Sequence, residues 1–146
     1  MISFLWRSFD CPEPSNTDNP FTDVKSTDFF YKAVLWAKEK GITSGKTKDR
    51  FAPYESCTRG QFVTFLWRAC RKPEIKDEYY MSQVTKFSDV PEGSDLEKAV
   101  IWASFRDITQ GITATKFKPS NEINRAQAVT FLYRGNQQID YYKKNN

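Results

Sequence analysis

Apolar residues recur along this chain at helical spacing, in two kinds of segment. Phe30, Ala33, Val34 and Ala37 share one face of a 3.6-residue period, as do Leu96, Ala99, Val100 and Ala103. Each set predicts an amphipathic helix, the first over about residues 28–40. Gly41 follows it as a left-handed stop, and Asp107 stands at the matching place as a poorer one. Ser94 with Glu97 forms a capping-box pattern ahead of the second. A denser set, Phe62, Val63, Phe65, Leu66 and Ala69, predicts a more central helix over 58–70. Thr58 with Gln61, and Asn124 with Gln127, are N-cap and N3 pairs that would open this helix and a counterpart over 124–135. Between the two kinds of helix lies a loop of about 16 residues with a Phe-x-Pro element. That is long for an unstructured connection, so it either packs through Phe51 and Phe117 or forms a binding surface.

These segments are two copies of one unit. A shift of 66 residues aligns Phe21-Thr22-Asp23-Val24 with Phe87-Ser88-Asp89-Val90, and Trp36-Ala37 with Trp102-Ala103. It also aligns Gly45 with Gly111 and Thr58-Arg59-Gly60-Gln61 with Asn124-Arg125-Ala126-Gln127. Of 48 ungapped positions 21 are identical, which makes a repeat architecture the starting assumption. Ser3-Phe4-Leu5-Trp6-Arg7 matches Thr64 to Arg68, and Pro12-Glu13 matches Pro73-Glu74. The chain therefore opens inside the last helix of a preceding copy. The expected division is 1–14 (that helix), 15–74 and 75–137 (two full repeats) and 138–146 (a polar tail). The linker 72–86 reads as polar and irregular. Helices over 1–9, 58–70 and 124–135 are expected to form a central three-helix bundle, with the first-type helices outside.

Composition narrows the chemistry. An aromatic content of 16% fits a packed core. No apolar run is long enough to cross a membrane, and no export signal is legible within the chain. There is no histidine, which removes the commonest general base and zinc ligand. Cys11, Cys57 and Cys70 form neither a disulfide framework nor a metal pair. The net charge of +4 mildly favours anionic partners, but no basic stripe points to nucleic acid.

The order Phe-x-Asp-Val, Ala-Val helix, Gly-Ile-Thr-x-Gly, Phe-x-Pro, Thr-Arg-x-Gln resembles the S-layer homology family over nearly the whole chain. The resemblance implies a mainly α fold of repeats with pseudo-threefold symmetry. It also implies non-covalent, non-catalytic attachment of exported bacterial proteins to the cell wall, without cofactor or metal. The implied partner is a secondary cell-wall polysaccharide, often carrying acidic pyruvyl ketals. The family signature Thr-Arg-Ala-Glu, whose arginine contributes to glycan binding, falls on 58–61 and 124–127. Both copies keep the arginine and replace Glu with Gln.

The candidate glycan-binding residues are thus Arg59, Arg125, Gln61, Gln127, Gly45, Gly111, Trp36 and Trp102. Each arginine stands at the first residue of a helix, where a cation opposes the dipole by about 0.3–1 kcal/mol. Free backbone N–H groups there would add an anion site. The alternative is pairing with a nearby carboxylate. Trp36 and Trp102 are either pocket walls or interhelical packing. Gly45 and Gly111 are expected at positive φ. Asp23 and Asp89 are expected to brace a turn, and Arg7, Arg68 and Arg134 to sit structurally at helix C-termini. A second reading is an assembly module that self-associates through its incomplete first repeat; a hydrolase ranks last.

Overall fold

The computed structural model describes residues 1–76, 78–83 and 87–145. Its elements are α1 (Ile2–Ser8), α2 (Tyr31–Glu39), α3 (Arg59–Ala69), α4 (Glu78–Gln83), α5 (Asp95–Phe105), α6 (Arg125–Arg134) and α7 (Asn136–Lys144). The protein is mainly α, as the periodicity predicts.

Helices of the second kind pack on helices of the first kind from the following repeat: α1 on α2, and α3 on α5. α6 touches both α1 and α3, with the rings of Phe62 in α3 and Phe131 in α6 6.3 Å apart. The packed unit therefore straddles the boundary between repeats. Leu5, Ala33, Phe62, Val63, Leu66, Trp102 and Ile108 are fully excluded from solvent within this core.

The exits from α1 and α3 share one pattern. Asp10-Cys11 and Arg71-Lys72 each take positive φ. The Trp6 indole N–H then donates to the Pro12 carbonyl at 2.9 Å, and that of Trp67 to Pro73 at 3.0 Å. Four non-glycine residues in the left-handed region each cost on the order of 1 kcal/mol, offset here by packing the indole (half-buried at Trp6, buried at Trp67) with its donor satisfied.

The Phe-x-Pro loops are also built alike. Asp23 accepts from the Phe51 and Ala52 N–H groups at 2.9 Å each. Asp89 accepts from Phe117 and Lys118 at the same distances. Ala52 and Lys118, the middle residues, both sit at φ 60°, a strain the carboxylate grip holds in place. Burial pushes these two carboxyls up, but the N–H donors outweigh it and both lie below the ordinary Asp pKa.

Three expectations are corrected. Segment 138–146 is no tail: α7 covers most of it, with Ile139 fully buried and Lys143 paired to Asp10 at 2.9 Å, back at the end of α1. The linker 72–86 is not wholly irregular, because it holds α4; residues 77 and 84–86 lie outside the described residues. Ser94 does cap α5, accepting from the Glu97 N–H at 3.1 Å, but the Glu97 carboxylate takes the Gly93 N–H instead of closing the box. The positive φ at Gly41 (65°) and Asp107 (53°) is as expected from the stops they make.

Candidate functional site

Both arginines take the first helical position, Arg59 in α3 and Arg125 in α6. Both N-caps close full capping boxes. Gln61 Oε1 accepts from the Thr58 N–H at 2.9 Å, and Gln127 Oε1 from Asn124 at 3.3 Å. Each glutamine carbonyl is thus occupied, leaving its NH₂ as the end free to meet a ligand.

The start of α3 docks into the loop of the next repeat. The Arg59 N–H donates to the Asn121 carbonyl at 2.8 Å, and Gly60 to Pro119 at 2.9 Å. In return the Ile123 N–H donates to the Cys57 carbonyl at 2.9 Å. Backbone donors expected to be open to an anion are therefore consumed at α3, by carbonyls that chain pattern alone does not bring there.

The Arg59 side chain takes the same path and is only 4% exposed. Its guanidinium carbon lies 4.9 Å from the centre of the Phe117 ring and 5.5 Å from that of Phe131. Nε donates to the Phe117 carbonyl and Nη2 to the Gln110 carbonyl, both at 3.3 Å. Among the described residues it meets no carboxylate. Desolvation lowers its pKa from the ordinary arginine value, yet it stays charged at neutral pH. Among the described residues this buried cation is stabilised by carbonyl dipoles and ring faces. It borders a groove of about 390 Å³ that also includes Gln110, Gly111, Asn124, Gln127 and Arg134. Arg134, read as a structural C-terminal cation, is a groove residue that sequence periodicity did not reveal.

A second, smaller groove of about 200 Å³ has the same construction one repeat earlier, with Gly45, Pro53, Glu55 and Gln61. There Met1 stands at the helix end, and the groove's cation, Lys46, is paired with Glu55 of the same groove. The candidates are therefore sorted across repeats: Arg59 joins Gly111 and Gln127, whereas Gly45 joins Gln61. Arg125 belongs to neither groove and is exposed.

The remaining candidates serve packing. Trp36 is 3% exposed and Trp102 fully buried; Trp36 packs on Phe9 with ring centres 5.6 Å apart. Both indoles are buried, and neither borders either of these two grooves. Gly45 has φ +84°, as expected. Gly111 does not have positive φ, contrary to expectation; it is small for lack of room. A Cβ there would lie 2.4 Å from the Phe87 ring and from the Thr113 carbonyl oxygen. Burial pushes the Cys57 thiol up to about 11 and Cys70 to about 12, which keeps both protonated and unreactive.

The family model described as "S-layer homology domain" matches residues 20–63 and 86–129. The chain belongs to the S-layer homology domain family. Its relatives include a "Cell surface protein" of Thermoanaerobacter kivui, 31% identical over 79% of this chain and 15% of the relative. An "Endoglucanase" of Bacillus sp. (strain KSM-635) is 32% identical over 82% of this chain and 12% of the relative. A "Cellulosome-anchoring protein" of Acetivibrio thermocellus is 25% identical over 82% and 26%. The chain spans about a quarter or less of the length of these S-layer homology relatives. No solved structure matches it. Among the described residues no helix is long and apolar enough to cross a membrane.

Proposed function

We propose that this chain is a non-catalytic cell-wall anchoring module of the bacterial cell surface. It grips an anionic, pyruvylated secondary cell-wall polysaccharide in the grooves between S-layer homology repeats. One observation carries the reading: Arg59 is a nearly buried cation with no carboxylate partner among the described residues, at the edge of a groove flanked by a second cation, Arg134. An isolated buried charge is costly, and a ligand carboxylate would supply the missing counter-charge in a charge-assisted pair. Gln127 and Asn124 add amide donors for sugar hydroxyls. The names of the relatives support the anchoring role, since a cell surface protein, a cellulosome-anchoring protein and an endoglucanase all match this chain over only a part of their own length.

The test is co-sedimentation with purified Gram-positive wall sacculi before and after removal of the secondary polysaccharide. Wild type pellets with intact walls and stays in solution with stripped ones. Arg134→Ala weakens pelleting without moving the unfolding midpoint, because Arg134 is exposed. Equal pelleting with stripped walls, or full binding by Arg134→Ala, refutes the groove assignment.

A second reading, self-assembly, rests on a different observation. Val63 and Trp67 of α3 are buried against the next repeat, while their α6 counterparts Val129 and Tyr133 are 53% and 82% exposed. Sedimentation velocity decides it: a monomer at all concentrations removes this reading.

A further inference from the structure

We infer that Phe29 and Tyr54 form a second carbohydrate contact, an aromatic platform that stacks on the apolar faces of neutral pyranose units. This rests on the polysaccharide reading above and extends the polymer's path beyond the grooves. Phe29 is 80% exposed and Tyr54 87%, although they come from different segments of the repeat. Both rings flank Phe30, which is buried: Phe29 at 5.1 Å and 79°, Tyr54 at 6.2 Å and 85° between ring centres and planes. Phe30 therefore props two outward rings in fixed edge-to-face geometry.

Their exposure is not explained by an empty neighbouring position. The counterparts in the second repeat are Asp95 and Ser120, and there the neighbouring helix start is seated in the loop. Even so, the Asp95 side chain is 44% exposed and Ser120 is exposed. Positions 29 and 54 thus face solvent in the complete arrangement, and only the first of the two copies places aromatics on them.

The size and setting of the patch select the ligand. Two such rings expose roughly 250–450 Å², well short of the about 800 Å² per partner that a specific protein interface buries. Each ring is held through Phe30, and the residues beside them in the chain, Ser26, Thr27, Glu55 and Ser56, are polar and exposed. That suits a pyranose, which offers a C–H face to a ring and hydroxyls to its surroundings. The platform is also continuous with a groove, because Pro53 and Glu55, on either side of Tyr54, border the one containing Gly45 and Gln61. A chain of sugars leaving that groove crosses Tyr54 first.

The experiment compares wild type, Phe29→Ala/Tyr54→Ala, Phe29→Tyr and Arg134→Ala for binding to solubilised wall polysaccharide, native and with its acidic substituents removed. Losing both stacking contacts weakens binding about tenfold, Phe29→Tyr binds as wild type, and the platform's contribution persists on the neutralised polymer while that of Arg134 vanishes. Wild-type binding with an unaffected double variant overturns the platform and leaves the groove standing. No wild-type binding overturns the groove reading and the platform with it. If wild type sediments as a dimer that the double variant dissociates, the patch belongs to a second copy and the sugar assignment is wrong.

Discussion

Arg59 and Arg125 have the same place in the same motif, behind the same capping box, and their surroundings have almost nothing in common. Arg59 is 4% exposed, wedged between two aromatic rings and bonded to two carbonyls of the next repeat. Arg125 projects into solvent. The difference comes from the segment C-terminal to each helix. Beyond α3 the chain forms a loop that wraps the start of that helix; beyond α6 it forms α7, which packs at the opposite end, near α1. The groove beside α6 is thus not closed by one repeat alone: the second repeat lines most of it, and the first supplies Arg59.

The sharpest challenge to that contrast lies under the loops. Gly111→Ala should destabilise the protein by about 3 kcal/mol, since its Cβ would collide with the Phe87 ring and two backbone oxygens; urea unfolding measures this. A loss below about 1 kcal/mol would mean the loop can shift, and with it the groove it forms with Arg59. Next come the arginines. Arg59→Ala should cost about 2 kcal/mol by stranding the Phe117 and Gln110 carbonyls, and Arg125→Ala less than about 0.5 kcal/mol. Equal midpoints for the two would erase the distinction.

Where the copies are alike, the prediction is sameness. Asp23→Asn and Asp89→Asn should each cost about 1–2 kcal/mol, because an amide oxygen holds two N–H groups less well than a carboxylate. Both aspartates have folded pKa values below the ordinary one. Their contribution is therefore fully present above the unfolded carboxylate pKa of about 3.9 and is lost as pH falls through the folded value. Unfolding midpoints measured from pH 6 down to 2 should fall for wild type and fall less for each Asn variant; unchanged pH profiles would remove the carboxylate from the turn. The smallest effect concerns the two helix junctions. Asp95 pairs with a half-buried Arg68, whereas Glu13 and Lys32 are 71% and 56% exposed. Asp95→Ala should cost about 1 kcal/mol and Lys32→Ala under about 0.5 kcal/mol, with the second difference vanishing in 1 M salt.

Local signals were legible where short-range physics decides the outcome. The 3.6-residue period, the Thr58–Gln61 and Asn124–Gln127 caps, and the left-handed stops at Gly41 and Asp107 involve residues within one or two turns of each other. α7 was not legible, because Asn136 to Lys144 is mostly polar and its one buried anchor, Ile139, needs a surface built by residues far upstream in the chain. Arg134 looked like an ordinary C-terminal cation for a related reason: the groove it borders is made by the Gln110–Gly111 loop folding back beside α6 and by Arg59 arriving from the preceding repeat.

The sequence by itself determined the repeat, the helices, the braces of the Phe-x-Pro turns and the family. Each rests on spacing and residue type within a single repeat, the range over which caps, turns and amphipathic faces act. Only the tertiary structure decided which arginine is buried, which tryptophans are core, and that Gly45 and Gly111 both lack room for a Cβ. It also decided that Arg59 shares a groove with Gly111 and Gln127 and not with Gly45 and Gln61. Those outcomes depend on packing one repeat against the next. Two copies carrying the same motif therefore end in different environments when different segments pack against them.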